Sequence, residues 1–184
     1  EFLRTHDDAL NEIASETGVP VEILVGIIGV ETYFGRITGN YRVLDALATL
    51  AFHYPPRSSF FTGELEEFLL LTRSEGLDAS VPTGSYAGAM GRPQFMPSSY
   101  RAYAVDFDDS GYRDLWRSLP DALGSVANYL AVHGWQPGQP IVLPVDAVPE
   151  DLDESFTTRL NHSLADLRAL LAEEPTPPLS AVGD

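Results

Sequence analysis

The chain has 184 residues, 44% of them hydrophobic and 21% charged, enough for one compact domain with a sizeable core. Lys and Arg number 11 against 27 Asp and Glu, and a net charge of -16 repels phosphate backbones and anionic membrane surfaces, so nucleic acid is excluded as a partner. The absence of cysteine removes disulfides, thiolate metal sites and Cys nucleophiles, and no apolar run approaches the ~18–20 residues that span a bilayer. Glu1 is not an initiator Met. An upstream segment is therefore expected, and membrane contact could come only through an anchor outside this chain.

Leu3, Leu10, Ile13 and Ala14 recur at helical spacing against a polar face of Asp7, Asp8, Glu12 and Glu16, which predicts an amphipathic helix from Leu3 to Thr17. Gly18 ends it. Pro20 opens a second helix, with Glu22 beside its positive end. From Val21 to Val30 the only charged side chain is Glu22, so this helix is expected to be central and buried. Further helices are predicted from Val43 to Phe52, from Phe60 to Arg73, after Pro97, and from Asp121 to His133. Glu75 to Gln94 is rich in Gly, Ser, Thr and Pro and reads as loop, and Asp106 to Pro120 is polar and turn-rich. Seven of the 14 prolines fall after Trp135. There IVLPV, Ile141 to Val145, is a candidate strand, Ser163 to Leu171 a short helix, and the end a flexible tail. The expected division is a helical core over 1–135 and a Pro-rich linker with a partial C-terminal segment over 136–184.

Three constellations carry chemistry. Glu31 ends the apolar helix in GVETYFGR. A carboxylate among apolar and aromatic groups is poorly solvated and tends to stay protonated, which suits an acid that must protonate a leaving glycosidic oxygen. The plain alternative is a solvated Glu, or one paired with Arg36. The second constellation is GSYAGAMGRPQFMPSSY, Gly84 to Tyr100. Its small residues admit close backbone approach to a ligand, and Ser85 and Gln94 offer hydrogen bonds. Tyr86, Phe95, Met96 and Tyr100 offer apolar faces. A Gly-rich loop packed on a helical core explains the same residues. The third is DFDDSGYRD, where Asp106, Asp108 and Ser110 stand at positions 1, 3 and 5 of an EF-hand-like loop. Gly111 stands at 6, and Tyr112 offers its carbonyl at 7. Position 12 is Arg117 where such a loop has a bidentate Glu. Asp121 also fits a capping box begun by Ser118. His53 and His133 lack metal-ligand spacing, and Trp116 and Trp135 read as core anchors.

Four stretches together resemble the lytic murein transglycosylase B family, in its order and spacing: PVEILVGIIGVETYFGR, LDALATLAFHYPPRSSFF, GSYAGAMGRPQFMPSSYRAYAVDF and ALGSVANYLAVHGW. The resemblance implies a mainly α fold, a lysozyme-like helical core with a small α+β C-terminal portion. It implies cleavage of the β-1,4 bond between N-acetylmuramic acid and N-acetylglucosamine, with formation of a 1,6-anhydro sugar. Glu31 would be the lone catalytic Glu, acid then base. Ser85, Gln94, Phe95, Met96 and Tyr129 would line the sugar sites. Arg57 would match one of two cleft arginines, and Pro56 replaces the other. Asp121 would close the cation loop begun by Asp106, Asp108, Ser110 and Tyr112 around a structural Ca²⁺. No cofactor is otherwise implied. Against the family pattern this loop is one residue longer, and Ser110 stands where Asp is usual. The partner implied is the peptidoglycan glycan strand, and the location the periplasm or cell envelope of a bacterium, as a monomer. Family members extend further at both ends, so a catalytic-core portion is expected. A hydrolytic muramidase on the same core, or a glycan-binding module without activity, are the competing readings.

Overall fold

The computed structural model describes residues 2–142. The chain divides into two compact units, Glu1–Pro137 and Gly138–Asp184. Ile141 and Val142 are irregular; the rest of the IVLPV strand and the Ser163–Leu171 helix lie outside the described residues.

The first unit is mainly α. Its helices are α1 (Phe2–Thr5), α2 (Asp7–Thr17), α3 (Val21–Thr32), α4 (Val43–His53), α5 (Ser58–Ser74), α6 (Pro97–Tyr103) and α7 (Leu119–Val132). A 3₁₀ turn, Pro55–Arg57, joins α4 to α5. The helix expected from Leu3 breaks at His6, where φ is -123°. α6 opens on Pro97, whose fixed φ suits a first turn. α7 begins two residues before the expected Asp121, because Ser118 is its N-cap and accepts from the Asp121 amide at 3.2 Å.

Two-residue strands form where none was expected. β1 (Tyr41–Arg42) pairs antiparallel with β2 (Thr83–Gly84), Tyr41 opposite Gly84 and Arg42 opposite Thr83. Gly39 makes this approach feasible: its φ is +90°, and a Cβ there would lie 2.1 Å from the Gly84 carbonyl oxygen. This pair adds to the strand expected at Ile141 to Val145, most of which lies outside the described residues. Pairs this short leave no alternating apolar pattern to read.

Two apolar clusters hold the unit. One joins α4, α5 and α6 through Val43, Leu47, Phe61, Phe68, Leu71 and Tyr100, and takes in Met90, Phe95 and Leu115 from the loops. The other joins α2, α3 and α7 through Leu10, Ile13, Leu24, Ile28, Leu123 and Val126. Trp116 and Trp135 are the expected anchors. Trp116 packs on the first cluster and donates its Nε1 to the Thr83 carbonyl at 2.8 Å. Trp135 packs on the second and donates to the Gly18 carbonyl at 2.9 Å.

Helix α3 departs from its expected central position. Only Leu24, Ile28 and Thr32 are fully buried along it, a single i, i+4 stripe, and Val30 is 87% exposed. The helix packs on α2 and α7 along that stripe and leaves its opposite face open.

Candidate active site

Glu31 stands on the last turn of α3, next to the point where the backbone reverses. Tyr33, Phe34 and Gly35 take φ values of 50°, 60° and 79°, a run of left-handed residues that two non-glycine side chains enter at a cost. The turn is closed by amide hydrogen bonds from Tyr33 to Gly29 and from Phe34 to Ile28, at 3.0 and 3.1 Å. The Phe34 ring folds back onto Gly29 and lies 5.3 Å from the Phe2 ring, while Arg36 lies over Tyr33 at 5.1 Å.

The expected burial of Glu31 among these aromatics is therefore not met. Their rings pack on one another and on the helix, and Glu31 is exposed. Nor is Glu31 paired with Arg36. Among the described residues it makes no ion pair or hydrogen bond, which leaves a free carboxylate at a rigid turn. Asp45, the other carboxylate weighed from sequence, is exposed and paired with Arg42 at 2.5 Å.

The Gly84–Tyr100 segment is tied directly to this turn. Gln94, itself at φ 53°, donates from Nε2 to the Thr38 carbonyl at 3.2 Å and to the Gly91 carbonyl at 2.9 Å. Thr32 donates its hydroxyl to the Arg92 carbonyl at 2.9 Å. Ser85 organises the first half of the segment. Its Oγ accepts from the amides of Ala87 and Ala89 at 3.3 and 3.1 Å, and its own amide donates to the Ala89 carbonyl at 2.8 Å. The second half is pinned by Met90 and Phe95, which exchange both backbone hydrogen bonds at 2.8 and 3.0 Å.

Phe95 is nearly buried and its ring lies 5.7 Å from that of Tyr129 on α7. Tyr129 continues an aromatic row, edge-on to Tyr103 at 5.1 Å and stacked on His133 at 4.1 Å. Met96 is half-buried on the first apolar cluster, just before α6. Arg57 stands apart from these in the 3₁₀ turn, exposed, with its guanidinium 4.4 Å over Phe60 and 5.1 Å from Phe61. The segment thus draws Ser85, Gln94, Phe95 and Met96 together and connects to Tyr129 and the Glu31 turn; the contacts of Arg57 are local to the α4–α5 corner.

The loop before α7 brings oxygen ligands together. Asp106, Asp108 and Asp121 each offer a carboxylate oxygen within 4.8 Å of the other two. Ser110 Oγ lies 3.3 Å from Asp106 Oδ1 and 3.1 Å from the Tyr112 carbonyl oxygen, so the neutral ligands converge on the same place. Three carboxylates, a hydroxyl and a carbonyl fit a hard divalent cation such as Ca²⁺. Asp121 is fully buried and also serves the fold: Oδ1 accepts from Phe107 at 2.9 Å and more weakly from Asp108 at 3.4 Å, and Oδ2 accepts from Asp114 at 2.8 Å. Of the capping box only the Ser118 half forms: Ser118 Oγ accepts from the Asp121 amide, whereas the Ser118 amide donates to the Asp114 carbonyl at 3.1 Å, which leaves the Asp121 carboxylate to the loop. Hydrogen bonds from the Ser118 hydroxyl, and then from Ser110, hold the Asp108 carboxyl below its ordinary range.

Two long-range contacts escaped sequence reading. Thr32 and Arg92 are 60 residues apart and nothing local joins them. Glu64, buried on α5, accepts from the Ser98 amide at 3.0 Å and its hydroxyl at 2.7 Å, capping α6 from another helix.

The transglycosylase SLT domain model matches residues 1–178. The membrane-bound lytic murein transglycosylase B of Escherichia coli strain K12 is 48% identical over 174 residues, covering 95% of this chain and 48% of that protein. The crystal structure of soluble lytic transglycosylase SltB1 from Pseudomonas aeruginosa is 55% identical, with a TM-score of 0.82 over 92% of this chain and 58% of its own. Escherichia coli lytic transglycosylase Slt35 in complex with calcium is 55% identical, with a TM-score of 0.74 over 77% of this chain and 45% of its own. The chain spans about half the length of the curated relative it matches. The helical core is the lysozyme-like fold of lytic transglycosylases. The chain belongs to the transglycosylase SLT domain family, in its lytic murein transglycosylase B branch.

Proposed function

We propose that this chain is a lytic transglycosylase acting on peptidoglycan strands in the bacterial envelope. It cleaves the β-1,4 bond between N-acetylmuramic acid and N-acetylglucosamine. The observation that carries the reading is the carboxylate of Glu31, unpaired among the described residues, at a turn bonded to the Gly84–Tyr100 segment through Thr32 and Gln94. Glu31 donates its proton to the glycosidic oxygen as the C1–O bond breaks. The resulting carboxylate then takes the proton of the C6 hydroxyl, whose oxygen bonds C1. Atoms balance without water, and the product is a 1,6-anhydro sugar. A two-carboxylate hydrolase needs a second acid to activate water or to attack C1. Asp45 is engaged by Arg42, whereas an internal hydroxyl held in place needs only one carboxyl group. Because Glu31 is exposed, the bound glycan itself supplies the exclusion of water at the reacting bond.

The sugar is held by Gln94, Met96, the Phe95–Tyr129 face and the Ser85 turn, with Arg57 as an outlying contact. Ca²⁺ in the Asp106, Asp108, Ser110, Tyr112 and Asp121 loop is structural, bracing α7 and hence Tyr129. Mass spectrometry of digested murein tests the reading. Products one water lighter than reducing-end muropeptides are expected, and Glu31→Gln should abolish them while the circular dichroism spectrum stays unchanged. Reducing ends alone would make the chain a hydrolytic muramidase, and no turnover by the unaltered chain would leave a glycan-binding module.

A further inference from the structure

Thr32 follows Glu31 directly and is 1% exposed. Its hydroxyl has one hydrogen and two carbonyls within reach: Arg92 at 2.9 Å and Ile28, one turn back on its own helix, at 3.2 Å. The same oxygen accepts from the Gly35 amide at 3.0 Å. A threonine bonded only to its own preceding turn would be an ordinary helix feature. The bond to Arg92 is different, because it joins the last turn of α3 to the Gly-rich segment 60 residues away.

Arg92 is itself held from the other side. Its amide donates to the Leu115 carbonyl at 2.8 Å and its Nε to the Trp116 carbonyl at 3.2 Å. Those carbonyls belong to a turn in which Asp114 accepts from the Trp116 and Arg117 amides, at 2.9 Å each, while its own amide donates to Asp121. An unbroken set of hydrogen bonds therefore runs from the cation loop to the residue covalently joined to Glu31. Glu31 has no side-chain partner among the described residues, so its placement depends on where its backbone is fixed.

We propose that Thr32, through the Arg92 carbonyl, is a positioning residue that fixes Glu31 relative to the segment holding the sugar. This rests on Glu31 being the acid. A displacement on the order of 1 Å at such a group costs about 10²-fold in rate. The pair acts on the geometry of the reacting carboxyl, so kcat falls and KM does not.

The test is steady-state turnover of soluble glycan strands by Thr32→Val, Thr32→Ser, Arg92→Leu and Glu31→Gln, each checked for fold by circular dichroism and thermal melting. Thr32→Val should lower kcat by about 10–100-fold with KM within about 2-fold, and Thr32→Ser, which keeps the hydroxyl, should restore most of it. Arg92→Leu keeps the carbonyl and the amide bond to Leu115 but removes the Nε bond to Trp116, and should lower kcat by about 10-fold with KM unchanged. If Thr32→Val does not fold, Arg92→Leu decides. A folded Thr32→Val with unaltered kcat, or a loss that serine does not rescue, overturns the positioning role. An unaltered Arg92→Leu overturns the part assigned to Arg92. An active Glu31→Gln would instead overturn the reading of Glu31 itself.

Discussion

Replacing Asp121 by alanine separates its two roles. In the presence of a chelator no cation contributes, and what remains is the loop scaffold: two well-formed hydrogen bonds to a buried carboxylate, from Phe107 at 2.9 Å and Asp114 at 2.8 Å. A hydrogen bond to a charged acceptor contributes about 1.5–3 kcal/mol, so the pair sums to roughly 3–6 kcal/mol. The amides freed in a surface loop recover part of that by hydration. The expected loss is therefore about 3 kcal/mol, or roughly 6–12 °C in Tm for a domain of this size. Urea denaturation followed by circular dichroism, in EDTA, measures it. Asp121→Asn should lose less, about 2 kcal/mol, because its amide oxygen still serves one donor while its NH₂ faces another. If Asp121→Ala in EDTA lies within about 0.5 kcal/mol of the parent, the carboxylate does not organise the loop, and only a ligand role would remain.

Added Ca²⁺ should raise Tm with concentration in the parent chain and not in Asp121→Asn, as binding to the folded state alone requires. Ser118→Ala removes the leading cause of the depressed Asp108 pKa, so the Asp108 titration should move up toward the ordinary 3.8 by NMR. A depressed carboxylate contributes stability above its unfolded pKa and loses it as pH falls through the folded value. The parent should accordingly lose this contribution below about pH 4, and Ser118→Ala should show less of that acid dependence. Glu64→Ala, which strips α6 of its cap, should cost about 1.5–3 kcal/mol by denaturant titration, and a neutral result would refute the capping role. At Gly88, φ is +87° and a Cβ would lie 2.5 Å from Leu47 Cδ2. Gly88→Ala should therefore destabilise by about 2 kcal/mol or more, read as a lowered Tm.

The helices were legible because their apolar spacing and punctuation are local: Gly18 after α2, Pro97 opening α6, the Ser118 cap opening α7. Glu31, Ser85, Gln94 and the acidic loop were visible as residue types in a pattern, and the loop ligands do converge. The exposure of Glu31 was not visible, because it depends on Tyr33 and Phe34 entering left-handed backbone and directing their rings elsewhere. The β1–β2 pair, the Thr32–Arg92 bond and the Glu64 cap join residues tens of positions apart, and no local pattern encodes a partner at that distance.

The indole of Trp135 donates to the carbonyl of Gly18, 117 residues earlier. Around it, α2 and α3 share their apolar cluster with α7, whereas α4 to α6 form theirs from residues 43 to 115. The contacts of α2 and α3 with α7 therefore wait for the chain between them, while α4 to α6 can condense from nearer neighbours. Pulsed hydrogen exchange during refolding should protect amides of α4 and α5 before those of α2 and α3. The opposite order would mean that the N-terminal pair is stable without α7. Arranged this way, Glu31 on α3 reaches its final setting only after the chain has been synthesised past Trp135.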